Sequence, residues 1–129
     1  MTQAVKLRRV YDPPSPRDGM RVLVDRIWPR GLTKRRAHID LWLKEVAPSA
    51  RLRQWFGHDP VRWTEFRRRY RAELARNPAA LEQLRQLARV RRITLVFGAR
   101  DQRHNQAVVL KEVLAGRHAR RARRAAPGR

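Results

Sequence analysis

Two short apolar runs set the tightest limit on how this chain can fold. "ITLVFGA" at residues 93–99 is the clearest strand in the sequence, and "VLV" at residues 22–24 forms the core of a second strand over residues 21–27. Near-continuous runs of this kind suit strands covered on both faces, as in a helix-flanked sheet; a strand wet on one face would alternate. The two are expected to be parallel neighbours joined by a long helical crossover. Residues 4–11, "AVKLRRVY", alternate loosely and read as a half-buried strand, which the three prolines and Asp18-Gly19 of the next stretch terminate. The connection to residues 21–27 is too short for a helical parallel crossover. If those two strands pair, antiparallel pairing is expected.

The stretch between the apolar runs is punctuated as helices. Ser49 precedes "ARLRQWF", Asp59-Pro60 opens "VRWTEFRRRYRAELAR" and Asn77-Pro78 opens "AALEQLRQLARV". Each places an N-capping side chain before a helix, and twice a proline stands at the first helical position, where its missing N–H costs nothing. Trp63, Phe66, Tyr70 and Leu74 recur at helical spacing and define a core stripe. Residues 100–116 read as a last helix, with Asp101 as cap and Gly116 as stop. The expected fold is α/β: a small mixed or mostly parallel sheet of about three strands covered by four to five helices in a single layered domain. That domain is expected over residues 1–116, with residues 117–129 an Arg-rich, disordered tail.

Composition narrows the chemistry. With 129 residues the chain can bury roughly two-thirds of the surface its unfolded form exposes. It has no cysteine, which removes disulfides, thiolate metal sites and a Cys nucleophile. No apolar run approaches the roughly 18 residues of a membrane span, and no apolar leader is evident, so a cytoplasmic setting is expected. The net charge is +21, and six of the arginines lie in the tail after Gly116. Such a charge attracts polyanions, with non-specific nucleic-acid dissociation constants of about 10⁻⁴ to 10⁻⁶ M. Arg outnumbers Lys 28 to 4, a skew that GC-rich coding also produces.

Open α/β sheets bind ligands beyond the carboxyl ends of their parallel strands. Two polar clusters fall there: Asp25, Arg26, Trp28, Pro29 and Arg30 after the second strand, and Arg100, Asp101, His104 and Asn105 after the last. Arg26 and Arg30 supply planar forks suited to carboxylate or phosphate. Equally, Asp25 can pair with one of them inside the fold while Trp28 packs over the loop. Asp101 reads either as a helix cap or as a carboxylate partner to Asp25 in acid/base work, and His58 beside Asp59 is a further candidate base. His38, Asp40, His58 and His104 show no metal-ligand spacing, so neither a metal nor a cofactor is expected. No Walker loop, GxGxxG, GxSxG or HExxH pattern is present.

Three motifs in order, "RRVYDPPSPRDGMRVLVDRIWPRGLTK", "WLKEVAPSARLRQWFGHDPVRWTEFRRRYRAEL" and "TLVFGARDQRHNQAVVL", together resemble the YeaO-like family of small bacterial proteins, a domain of unknown function. The likeness covers nearly all of residues 6–115. It is carried by Asp25, Arg26, Trp28, Pro29, Arg30 and Gly31, by a second group that includes Lys44, Arg53, Trp55, His58 and Asp59, and by Asp101, Asn105 and Ala107. Ile27 and Gly98 depart from the pattern, which more often has Leu and Ala there. The resemblance implies a compact α/β domain in a bacterial cytoplasm and no established activity.

Two functions follow as expectations. In the first, a small anionic, nucleotide- or phosphate-bearing ligand is held by Arg26, Arg30, Lys44 and Arg53 with Asn105. Trp28 or Trp55 forms a wall, and Asp25, His58 or Asp101 moves a proton if hydrolysis occurs. In the second, nucleic acid is bound by the basic surface and by Arg117, Arg120, Arg121, Arg123 and Arg124 of the tail.

Overall fold

A computed structural model describes residues 5–125, with side chains described as far as residue 116. Four strands form one parallel sheet in the order β1-β4-β2-β3, where β1 is Lys6–Arg9, β2 is Met20–Leu23, β3 is Leu41–Trp42 and β4 is Ile93–Phe97. The expected neighbours β2 and β4 do pair in parallel, with Val22 opposite Leu95 and Leu23 opposite Val96. β1 and β2 do not pair, in either sense: β4 lies between them and all pairs are parallel. The antiparallel expectation assumed a helix in the return segment. These strands are only about four residues long, roughly 13 Å at 3.3 Å per residue, and residues 10–19 span that without one. A single 3-10 turn at Pro16–Asp18 suffices. Gly19 closes it at φ +65°, where a Cβ would stand 2.3 Å from the Arg92 carbonyl oxygen, so only glycine fits.

The fourth strand is the two-residue β3, too short for periodicity to reveal. The helices are α1 (Lys34–Ala37), α2 (Ala50–Phe56), α3 (Trp63–Ala75), α4 (Pro78–Val90) and α5 (Gln106–Ala125). Ser49 caps α2 through its hydroxyl, which accepts from the Leu52 N–H at 3.1 Å. Asp59 caps the 3-10 turn Pro60–Arg62 that leads into α3. Asn77 makes no side-chain cap on α4; its amide donates instead to the Glu45 carbonyl. The last helix begins later than expected. Asp101 holds a turn by accepting from the Arg103 and His104 N–H groups, and Asn105 is the residue that caps α5, through Ala107 N–H at 2.9 Å and Val108 N–H at 3.2 Å. Gly116 does not stop α5. A lone glycine costs about 1 kcal/mol against alanine, and the Arg/Ala sequence that follows is strongly helix-forming. The expectation of a disordered tail falls partly on residues 126–129, outside those described.

The two faces of the sheet are covered unequally. Val22, Val24, Ile93, Leu95 and Phe97 face the main core, filled by Leu43, Val46, α2, the Phe66-Tyr70-Leu74 stripe of α3, α4 and α5. Leu23 and Val96 face a thin layer made by Val10, Ala37, Trp28, Leu32, Ile39 and Trp42. Alternation along β2 and β4 thus survives even though both faces are dry. At the amino end of the thin side, Arg21, 3% exposed, donates to buried Asp18 at 2.7 Å and to the Ala37 and His38 carbonyls. Among the described residues no helix is long and apolar enough to cross a membrane.

Candidate functional site

At their carboxyl ends β2 and β4 come apart. The ladder continues one bond past β2, with Val24 N–H on the Val96 carbonyl at 3.1 Å. The next parallel bond would run from Gly98 N–H to the Val24 carbonyl; that N–H instead meets the Asp25 carboxylate, Oδ2, at 2.9 Å. The chain then leaves the two strands for opposite faces: from β2 towards α1 on the thin layer, and from β4 into α5 on the main core. Adjacent parallel strands whose connections diverge in this way leave a crevice between them. Here it is a cleft of about 460 Å³, within the range of pockets that hold small ligands.

Asp25 sits at the bottom. Oδ2 takes the Gly98 N–H, Oδ1 takes the side-chain amide of Gln106, and its backbone carbonyl takes the Trp42 indole N–H at 2.7 Å. Burial pushes its pKa up to about 6, against the opposing pull of the two hydrogen bonds and of the His58 and Arg53 charges. Gly98 leaves room for this carboxylate, since a Cβ there would lie 2.9 Å from Oδ2. Trp28 lines the cleft with its indole N–H tied to the Leu32 carbonyl at 2.6 Å and its ring edge-on to Trp42. Gly31, at φ +80°, lets the loop turn back between them. Phe56 and Phe66, stacked at 4.3 Å, line the side opposite this loop.

Of the expected ligand-binding residues, Trp28, Arg30, Arg53 and Asn105 do line this cleft, as does His58. His58 is held there at φ +58°, one residue beyond the left-handed Gly57 that ends α2. Arg26 is placed elsewhere. Its guanidinium donates to the Ala47 and Pro48 carbonyls, both at 3.0 Å, and so fixes the segment before α2. Lys44 lies over the Trp42 ring, and Trp55 lies under the Arg62 and Arg69 guanidiniums; none of these lines the cleft. Asp101 is engaged by the His104 imidazole at 2.8 Å, a bond that leads in holding its carboxyl below the usual range. It is not in the cleft lining, so Asp25 and Asp101 are not brought together as an acid/base pair. The side chains of Arg117, Arg120, Arg121, Arg123 and Arg124 lie outside the described residues. Among the described residues no three His, Asp or Glu side chains gather as a metal site would require.

Sequence reasoning missed Tyr11 and Gln106; His104, which it placed in the polar cluster after the last strand, also lines the cleft. Tyr11 follows β1, so the strand-end rule that found Asp25 also applies to it; its hydroxyl donates to the Arg30 carbonyl at 3.1 Å. Gln106 carried no signal until the start of α5 was known. The arrangement therefore offers one partly buried carboxylate with a raised pKa, the Gln106 amide beside it, the Trp28 and Tyr11 rings, and the cations Arg30 and Arg53 in the same lining. A second carboxylate to complete a hydrolytic pair is not among the lining residues.

The family model described as "Inactive DUF488-N3 subclade" matches residues 4–128. An uncharacterised protein of Mycobacterium tuberculosis (strain ATCC 25618 / H37Rv) is 45% identical over 113 residues, covering 88% of this chain and 95% of that protein. The uncharacterised protein YeaO of Escherichia coli (strain K12) is 40% identical over 110 residues, covering 85% and 96%. No solved structure matches the chain.

Proposed function

The chain belongs to the inactive DUF488-N3 subclade, the YeaO-like family its motifs resemble, and from that premise we propose that it is a cytoplasmic binding protein for a small phosphate-bearing ligand. The observation that carries this reading is the cleft where β2 and β4 diverge, with Arg30, Arg53 and His58 in a lining whose single carboxylate is Asp25. Two guanidiniums and two imidazoles, Arg30, Arg53, His58 and His104, against one acid favour an anion, and guanidinium forks match phosphate geometry. Binding is favoured over hydrolysis for two reasons. The cleft lacks a partner for Asp25, and the subclade is described as inactive.

A thermal-shift panel of phosphorylated metabolites tests the reading. A ligand at 100 times its dissociation constant adds about 2.7 kcal/mol to stability, a shift of several degrees for a chain of this size. The expected result is stabilisation of the wild type by at least one phosphorylated compound and none by its dephosphorylated form, with the effect lost in an Arg30→Ala, Arg53→Ala double variant. Equal stabilisation of wild type and double variant overturns it.

A further inference from the structure

The cleft lining divides by chemistry. Asp25 and Gln106 supply hydrogen-bonding groups beside one another, and Trp28 and Tyr11 supply flat aromatic surface, while Phe56 and Phe66, 5% and 2% exposed, belong to the core beneath. Gln106 donates to Asp25 Oδ1, which leaves the Gln106 amide oxygen and the second lone pairs of the carboxylate to meet a ligand. That mixture of donor and acceptor beside aromatic surface suits the polar edge of a planar heterocycle better than it suits a bare anion.

The cations extend beyond the cleft. Arg100 adjoins the lining residue Ala99, and Arg103 adjoins the lining residue His104. Both are exposed, and neither they nor Arg30 and Arg53 make a salt bridge among the described residues. Elsewhere on the surface the arginines of α3 are matched: Arg67 and Arg71 meet Glu112, and Arg68 and Arg69 meet Glu65. One terminal phosphate, with at most two charges, is answered by Arg30 and Arg53 with His58. Arg100 and Arg103 then remain at the same end of the sheet, making no salt bridge, with the nearby Asp101 carboxylate turned to backbone N–H groups and His104. A cleft of about 460 Å³ also holds little more than one nucleotide-sized unit, so anything longer must project past its rim.

We infer that the ligand is a nucleotide unit bearing several phosphate groups in a row, its base against Trp28 with a polar edge on Asp25 and Gln106, its first phosphate at Arg30 and Arg53, and its further phosphates at Arg100 and Arg103. This rests on the anion-binding reading and adds two claims to it, the planar head and the string of phosphates. That chemistry has two sources, a free nucleoside di- or triphosphate and the phosphorylated end of a single-stranded nucleic acid.

The test is a calorimetric titration of the full chain at about 150 mM salt, where exposed charges more than about 8 Å apart are screened. The probes are ribose 5-phosphate, the nucleoside mono- and triphosphates, and 5′-phosphorylated tetranucleotides. The expected result is a nucleoside monophosphate binding at least tenfold tighter than ribose 5-phosphate. The triphosphate or the tetranucleotide should gain a further tenfold or more, and an Arg100→Ala, Arg103→Ala double variant with an unchanged melting temperature should lose that gain while keeping monophosphate affinity. A gain confined to the tetranucleotide identifies a polymer end; a gain confined to the triphosphate identifies a free nucleotide. A gain that survives the double variant is attraction to the general +21 charge and overturns the proposal. Ribose 5-phosphate matching the nucleotides in an Arg53-dependent manner overturns it too, while leaving the anion reading intact. Absence of binding by every probe overturns both.

Discussion

Asp25 does two jobs that conflict. Its carboxylate replaces a backbone carbonyl as the acceptor for Gly98 N–H and so holds open the ends of β2 and β4, yet burial there disfavours its charge. Because its folded pKa, about 6, lies above the ordinary value of 3.8, the folded state binds the proton more tightly than the unfolded state. Asp25 contributes no penalty below about pH 4; between pH 4 and 6 it costs stability progressively, and above 6 the cost is complete, on the order of 2 kcal/mol after allowing for partial exposure. Asp25→Asn, which keeps the shape without the charge, should remove this dependence. Urea melts at a series of pH values check it: the stability of the variant minus that of the wild type should rise from pH 4 to 6 and level off above. A flat difference would mean that Asp25 is not desolvated. That Asp25, Trp28 and Arg30 would gather at a strand end was legible because their chain leaves a strand so evidently buried. Arg26 was misplaced because spacing cannot say which of two nearby guanidiniums turns to the Ala47 and Pro48 carbonyls.

The elements obey the same division between local and non-local information. Caps at Ser49 and Asp59, the Phe66-Tyr70-Leu74 stripe and the β2–β4 pairing were legible because each is written in adjacent residues or in an unbroken apolar run. The order β1-β4-β2-β3 was not, because insertion of the last strand between the first two depends on contacts across the whole chain. The Asp18–Arg21 pair is only three residues apart, but its burial under the thin face, with Arg21 on the Ala37 and His38 carbonyls, is non-local, and Arg21 looks from its sequence like one more surface arginine. Burial works against the Asp18 charge, but the bonds from Ser15 N–H, Arg21 and Lys6 hold its carboxyl below the usual range. Asp18→Ala leaves Arg21 buried without its counter-charge and should cost about 3–5 kcal/mol. A combined Asp18→Leu, Arg21→Met variant should recover part of that loss. Chemical denaturation of the three proteins decides it, and an Asp18→Ala loss under about 1 kcal/mol would show the pair to be solvated.

Across the whole molecule, one asymmetry ties fold to function. The thick helical side fixes the sheet, the thin side lets the loop of residues 25–32 fold over its carboxyl end, and the cleft opens between them. The overall charge was the most conspicuous property of the sequence, and it is spread over the surface: the arginines of α3 are matched by Glu65 and Glu112, whereas Arg30 and Arg53 line the cleft without salt bridges. The central claim is that this cleft, and not the general basic surface, holds a phosphate-bearing ligand. A titration of ¹⁵N-labelled protein with the compound that stabilises it most tests this directly. The account predicts saturable shifts centred on the amides of Gly98, Ala99, Asn105 and Gln106, with His58 following. Shifts spread without saturation over α3 and α4, with Gly98 and Gln106 unmoved, would contradict it.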